Sequence, residues 1–426
     1  MMAAPSKKYD LVVFGASGFT GQFVVEELAR HQEEEPALTW ALAGRNLEKL
    51  ESVVAQAATV TDKDLSKVGM IKANVHDIQS LNDMCSQAVV VLNCVGPYRF
   101  YGEQVVRACI ESGCHHVDIS GEPQFLEGIQ VNYGEKAKEA GVYVVGACGF
   151  DSIPADMGVL YTKQQFKGIL NTVEGYLSFN SGREGFCGHY ATWQSAIHGF
   201  ANAKELATLR KGMNNNPLPK YTPRLTRRPQ VFFSKDVNKW SLMFPGADAS
   251  VVRRTQRYLY EKDEERPIQF GAYMTVGSLF WLIVTIFFGA IFGFLAKYKT
   301  GRNLLEKYPR LFSGGAFSHA GPTRKQMEGS SFSITFQGEG FTDEEAEKGG
   351  KHNTKIITQV KGPEPGYVAT PIVMIHAALV ILDEQEKLPK GGGVFTPGGA
   401  FAKTSLLERL NKHNVEFSVV SAQTSI

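Results

Sequence analysis

Residues 10–31, DLVVFGASGFTGQFVVEELARH, constrain the fold of this chain more than any other stretch. Apolar Leu11-Val12-Val13-Phe14 runs into Gly15, and Gly18 and Gly21 follow at three-residue spacing. Phe23, Val24 and Leu28 then supply one apolar face at helical spacing. The order is strand, tight turn, helix N-terminus. The turn needs glycine, because a Cβ would block either its backbone geometry or the approach of a ligand. Unpaired N–H groups and the positive end of the helix dipole favour a pyrophosphate there. Ser17 and Thr20, on either side of Phe19, add hydroxyl donors. A dinucleotide site built on Gly15, Ser17, Gly18, Phe19, Thr20 and Gly21 is expected; the alternative is a structural glycine turn.

The second strand, residues 37–43, selects the dinucleotide. An Asp or Glu at its end would hold the ribose 2′-OH of NAD(H), whereas an Arg accommodates the 2′-phosphate of NADP(H). No carboxylate lies between Ala37 and Leu47, and Arg45 stands in that place. NADP(H) is therefore expected over NAD(H). A third strand, 68–73, leads into Asn74 and Asp77, which extend the candidate cofactor edge. The run Ala88-Val89-Val90-Val91-Leu92-Asn93-Cys94-Val95 is almost wholly apolar, as suits a strand buried on both faces. It ends in Gly96-Pro97-Tyr98, where ribose and nicotinamide are expected. Further strands at 116–119 and 142–145, separated by helices, complete a Rossmann-like, doubly wound parallel sheet over residues 1–150.

Past Gly149 the pattern changes. Alternating strands at 173–180, 331–337 and 354–360, with helices over 154–166, 188–211 and 367–385, predict an α+β domain for substrate and dimerisation over 151–390. A homodimer is compatible with it. Two domains agree with a length of 426 residues.

Together these motifs resemble the saccharopine dehydrogenase family. The resemblance is carried by Gly15–Gly21, Ala43-Gly44-Arg45, Asn93–Tyr98, Asp118-Ile119-Ser120-Gly121-Glu122, Gly149-Phe150-Asp151-Ser152-Ile153-Pro154 and Gly391–Pro397. It implies that residues 391–426 return to the nucleotide domain. The family includes saccharopine reductases and bacterial trans-acting enoyl reductases of polyketide-type lipids, so membership implies NADP-linked redox chemistry more firmly than any one substrate.

Residues 268–296, IQFGAYMTVGSLFWLIVTIFFGAIFGFLA, depart from a soluble dehydrogenase. These 29 residues contain no charge, Pro or Asn, and about 20 apolar residues suffice to cross a bilayer. A spanning helix would separate strands that the second domain needs together. Basic residues also flank both ends, with Arg253, Arg254 and Arg257 before and Lys297, Lys299 and Arg302 after. One-sided insertion into a membrane or lipid monolayer is expected. The expected location is the cytosol-facing surface of a lipid droplet or the endoplasmic reticulum, with the mitochondrion as an alternative. Residues 207–266 carry 13 Lys and Arg against 6 Asp and Glu, a basic loop suited to anionic headgroups.

The chain has 45 basic and 43 acidic side chains and lacks the aromatic-basic interleaving of an RNA-binding sheet, so nucleic acid is not an expected partner. Six cysteines without a CxxC pair, and an N-terminus without a signal-peptide core, suggest reduced thiols. Cys114-His115-His116 points to alternate faces of a strand, and no metal is expected. Catalytic candidates are Tyr98 beside the nicotinamide, Asp151 (with Ser152) at the end of the last strand, and His189 from the second domain. Their alternative roles are packing, helix capping and a satisfied histidine. Three functions stay open: an NADPH-dependent reductase of a hydrophobic lipid or acyl-type substrate, a saccharopine-type amino-acid oxidoreductase, and an inactive membrane-bound scaffold.

Overall fold

The computed structural model describes residues 7–213 and 216–425. Two compact units emerge. The first takes Met1–Phe150, Gly366–Phe395 and Lys403–Leu406; the second takes Asp151–Pro365, Thr396–Ala402 and Leu407–Ile426.

In the first unit, strands and helices alternate: β1 (Tyr9–Phe14), α1 (Phe19–His31), β2 (Trp40–Gly44), α2 (Leu47–Thr61), β3 (Gly69–Lys72), α3 (Ile78–Gln87), β4 (Ala88–Asn93), α4 (Tyr98–Glu111), β5 (His115–Asp118), α5 (Pro123–Glu139) and β6 (Tyr143–Val145). The sheet order is β3-β2-β1-β4-β5-β6, with Gly393–Phe395 beside β6, and every pairing is parallel. Strand order reverses between β1 and β4, which makes their carboxyl ends a topological switch point. Leu11, Val12, Val13, Val90, Val91 and Leu92 are fully buried, because helices cover both faces.

The helix Thr370–Asp383 packs on α1, β4 and β5 in this same unit. Its assignment to a second domain ending at 390 is thus corrected. Residues Thr370–Ile381 are all buried, and a helix apolar on every side needs cover on every side. Of 391–426, expected to return to the nucleotide domain, only the part up to Phe395 and Lys403–Leu406 fall in the first unit. Gly393–Phe395 joins the parallel sheet, but Glu416–Ser425 extends the second unit's sheet, where an unpaired strand edge accepts it.

The second unit contains α6 (Ile153–Gln165), β7 (Ile169–Asn180), β8 (Gly188–His189), α7 (Tyr190–Ala201), α8 (Ala203–Gly212), β9 (Val231–Ser234), β10 (Lys239–Met243), α9 (Asp248–Asp263), β11 (Gln269–Val276), α10 (Leu279–Ala296), α11 (Lys299–Lys307), α12 (Pro309–Phe312), β12 (Phe317–Ser318), β13 (Ser331–Phe341) and β14 (Thr354–Pro363). Its sheet runs Glu416–Ser425, β14, β13, β7, β11, β10, β9, antiparallel except for β7 with β11. Burial alternates along β13, the signature of one covered face. The covering helix is α6: a Cβ on its Gly158 would lie 2.4 Å from Phe336 of β13.

Two expectations change here. Residues 207–266 are not one basic loop, since the end of α8, β9, β10 and α9 lie within them and the longest described stretch without helix or strand is 216–230. Several of its cations are paired internally, Arg228 with Glu174 at 2.8 Å and Arg257 with Glu261 at 3.1 Å. The uncharged stretch 268–296 is also two elements. Gln269–Val276 is a strand in the interior of the sheet, and only Leu279–Ala296 is the exposed helix. A strand in the interior of a sheet and an exposed apolar helix are both uncharged here, so composition alone merges them.

Candidate functional site

The candidate cofactor cradle is built where β1 ends. Gly15 has φ +85°, and a Cβ on it would lie 2.7 Å from Val95 Cγ2, at the end of β4. A Cβ on Gly21 would sit 2.3 Å from the Gly15 carbonyl oxygen, so this glycine lets α1 lie directly on the turn. Gly18 donates its N–H to that same carbonyl at 2.8 Å and precedes α1 without a side-chain cap. No carboxylate occupies the first turn, so the positive end of α1 stays available to a phosphate. Ser17 stands beside the end of β2: a Cβ on Gly44 would be 3.8 Å from its Oγ. Thr20 lies in the first turn of α1, half-buried. Phe19 contributes its backbone there, while its ring packs edge-on against Tyr367 at 4.8 Å.

Arg45 follows β2 directly and is exposed, on the next strand from the glycine turn. Asn74 and Asp77 follow β3, but their side chains are engaged locally. Asn74 Oδ1 accepts from the His76 N–H at 3.2 Å, and the Asp77 carboxylate caps α3 through the Ser80 N–H. Gly96 and Pro97 follow β4, Gly96 exposed and Pro97 buried. Buried Asn93 accepts from the Val95 N–H at 3.1 Å, and its Nδ2 finds no partner among the described residues. A glycine cradle that a Cβ would fill, an uncapped helix start and a solvent-facing guanidinium fit a dinucleotide with a 2′-phosphate.

Tyr98 opens α4 with its hydroxyl turned inward. The hydroxyl donates to the Asn93 carbonyl at 2.8 Å and accepts from the Ile119 N–H at 3.4 Å. Burial, then the charge of Asp118, pushes its pKa well up. Tyr98 thus ties β4 to β5. The start of α4 is held by Glu122, whose carboxylate accepts from Tyr98 N at 2.9 Å and Arg99 N at 3.2 Å. Asp118 accepts from Ser120 N at 2.9 Å and Ala147 N at 3.1 Å, and meets His116 at 3.0 Å. Burial lowers the pKa of His116 to about 3, so the imidazole is neutral.

Asp151 and His189 belong to the second unit. Asp151 Oδ1 accepts from the Ala247 N–H at 3.2 Å, and its carboxyl shares a hydrogen bond with that of Asp248, the first residue of α9. Burial raises the pKa of Asp151, and burial with the neighbouring Asp151 charge raises that of Asp248 well above the carboxylate range. Each charge opposes the ionisation of the other, so the pair holds a proton more tightly than an isolated carboxyl does. Asp248 Oδ1 finds no partner among the described residues. Between Asp151 and α6, buried Ser152 adopts φ 150°, and its hydroxyl also lacks a partner among them. One turn on, Asp156 accepts from Thr255 Oγ1 and Gly398 N, both at 2.7 Å, fastening α6 to α9 and to the short helix Pro397–Phe401. Burial raises its pKa to about 6.

His189 stands at the start of α7. Its Nδ1 accepts from the Ala191 N–H at 3.2 Å as the N-cap of α7, and burial lowers its pKa. Sequence reasoning missed Asp248 and the cap by Glu122. Asp248 lies in a region read as loop, and Glu122 was seen as a motif without a role.

The remaining candidate feature is α10. One stripe packs inward, Phe292 and Ala296 joining Trp193, Ile197 and Leu305 in an apolar cluster. Outward, Leu279, Phe280, Trp281, Ile283, Ile286, Phe287 and Phe294 are 47–66% exposed. Strands before α10 (β7, β11) and after it (β13, β14) share one sheet, so the chain returns to the side from which it left.

Residues 11–145 match the family model of the saccharopine dehydrogenase NADP binding domain. The whole chain is 52% identical to a saccharopine dehydrogenase-like oxidoreductase of Rattus norvegicus, over 99% of both chains. It is 39% identical to a lipid droplet localized protein of Caenorhabditis elegans, over 97% of this chain and 99% of that one. Among solved structures, saccharopine dehydrogenase (L-Glu forming) of Saccharomyces cerevisiae shares the fold, with TM-score 0.53 at 12% identity over 97% of this chain and 100% of the other.

Proposed function

The chain belongs to the saccharopine dehydrogenase-like oxidoreductase family, and on that premise we propose an NADP-dependent reductase of a hydrophobic, acyl-type acceptor presented at a lipid surface. The single observation that carries the lipid half is α10, an uncharged helix whose outward face exposes seven large apolar side chains. A soluble monomer rarely leaves so continuous an apolar face in water. The printed name of the worm relative, which refers to lipid droplets, supports the same reading. At about 1.5 Å per residue an 18-residue helix is near the thickness of a bilayer core, but its inner stripe rests on α7 and α11. Lying in one leaflet or monolayer with the apolar face inward satisfies both.

Gly15, Gly18 and Gly21 would let the pyrophosphate approach the start of α1, with Ser17 and Thr20 donating beside it. Arg45 would pair bidentately with the 2′-phosphate. Bound reduced nicotinamide supplies a hydride, and the protein adds orientation and a proton. Of the three catalytic candidates, Asp151 has the environment suited to proton delivery, since it shares its proton with Asp248. Tyr98 and His189 have their polar atoms engaged in the β4–β5 tie and the α7 cap.

The test is NADPH consumption by the purified chain. Acceptors are enoyl- or keto-acyl lipids in a phospholipid-coated emulsion, and, in solution, an amino acid paired with an aldehyde or 2-oxo acid, whose imine takes the hydride to give a saccharopine-type amine. Oxidation with the emulsified lipids alone is expected. Turnover of the soluble amino acids with none of the lipids would establish the other branch of the family's chemistry instead.

A further inference from the structure

Beside α10 the second unit has a cavity of about 510 Å³, lined by Lys307, Tyr308, Arg310, Leu311, Ser318 and His319 together with Pro309. No carboxylate is among the lining residues. Lys307 and Arg310 are exposed and make no ion pair among the described residues; the Lys307 ammonium lies 5.3 Å from the Tyr308 ring centroid. The Ser318 hydroxyl and the His319 ring, the latter held 4.3 Å from the Tyr190 ring, add polar atoms to the opposite wall. The mouth is apolar as well, with Leu311 67% and Tyr308 44% exposed.

The cavity is attached to the lipid-facing helix. Its α11 wall packs along α10, and a Cβ on Gly314, just past α12, would lie 2.8 Å from Phe288 of α10. Lys297, Lys299 and Arg302 extend the positive charge between helix and cavity. When the outward face of α10 enters acyl chains, these groups sit at the water boundary, where Tyr and Lys side chains are favoured.

We infer that this cavity receives the phosphate headgroup of an anionic phospholipid in the same surface that α10 enters. The inference rests on the lipid-surface reading of α10. Arg310 offers a planar fork to two phosphate oxygens and Lys307 a point charge. Tyr308 and Leu311 meet the glycerol and upper acyl carbons that leave the mouth. A free phosphate would use the cations equally well but would gain nothing from the apolar rim.

Vesicle co-sedimentation with the full chain tests this. Vesicles contain phosphatidylcholine alone, phosphatidylcholine with phosphatidic acid, or phosphatidylcholine with oleate at equal negative charge. The native chain is expected to prefer phosphatidic acid over phosphatidylcholine by about thirty-fold, from two cations at the surface. The double variant Lys307→Ala, Arg310→Ala should lose that roughly thirty-fold preference, retaining only the attraction of Lys297, Lys299 and Arg302, and should keep its binding to phosphatidylcholine, which depends on α10. A preference that is undiminished in the double variant overturns the assignment. So does an equal preference for oleate, which means charge without phosphate recognition. Loss of the preference in millimolar inorganic phosphate overturns it too, as that marks a site for free phosphate. A native chain that binds none of the vesicles instead removes the lipid-surface reading beneath it.

Discussion

At the scale of single residues, the cofactor cradle and the carboxyl pair respond to substitution in different ways. Arg45 is exposed and holds no part of the fold, so Arg45→Ala should leave stability unchanged. It should weaken NADPH by roughly ten- to a hundred-fold, the worth of a charge-assisted hydrogen bond of about 1.5–3 kcal/mol, and leave NADH unaffected. Fluorescence titration with both nucleotides checks this; equal losses would deny Arg45 a 2′-phosphate role. Asp248 calls for a pH series. Its raised pKa means that the folded chain binds a proton more tightly than the unfolded chain. The contribution of Asp248 to stability is therefore fullest below the ordinary carboxyl range and is lost as pH rises above about 4 toward its raised folded value. Asp248→Asn cannot ionise, so its stability relative to the native chain should climb from pH 4 to 8 in urea unfolding. A constant difference would mean that the pair does not share a proton. The glycine turn and the exposed position of Arg45 are visible in sequence because each lies within a few residues of a strand end. Asp77 is ambiguous there, since a carboxylate at a helix start can cap the helix or meet a ligand, and the geometry makes it a cap. Glu122 and Asp248 act on partners far along the chain, which no local pattern reveals.

At the scale of elements, α10 has two faces that should separate in mutation. Phe292→Ala opens a hole against Trp193 and Phe200 and should cost about 3–5 kcal/mol. Phe280→Ser with Phe287→Ser lies on the outward face and should leave thermal unfolding in solution within about 1 kcal/mol of native. Equal destabilisation by both would mean that the outward face is covered by the chain itself. The alternation of β13 and β14 marks them as half-buried strands in sequence. The strand β11 did not show itself, because its position inside the sheet removes charge from both faces and blends it into the helix that follows. The helix Thr370–Asp383 misleads for a related reason: composition says it is buried without saying by which sheet.

At the scale of the whole molecule, β11 and α10 decide what can be removed. Deleting 268–296 takes out a strand between β7 and β10 and should leave an insoluble chain. Soluble, folded protein from that deletion would contradict the sheet order. Targeting must therefore be separated from chemistry by surface substitution, with the fold intact. The most direct measurement is flotation with phospholipid-coated oil droplets, paired with NADPH titration of the same samples. It compares the native chain with a variant carrying Phe280→Ser, Trp281→Ser, Ile283→Ser and Phe287→Ser. Both proteins should bind NADPH with equal affinity, and only the native chain should float. A native chain that stays in the aqueous layer, or a variant that floats with it, would contradict an NADP-dependent reductase held at a lipid surface by α10.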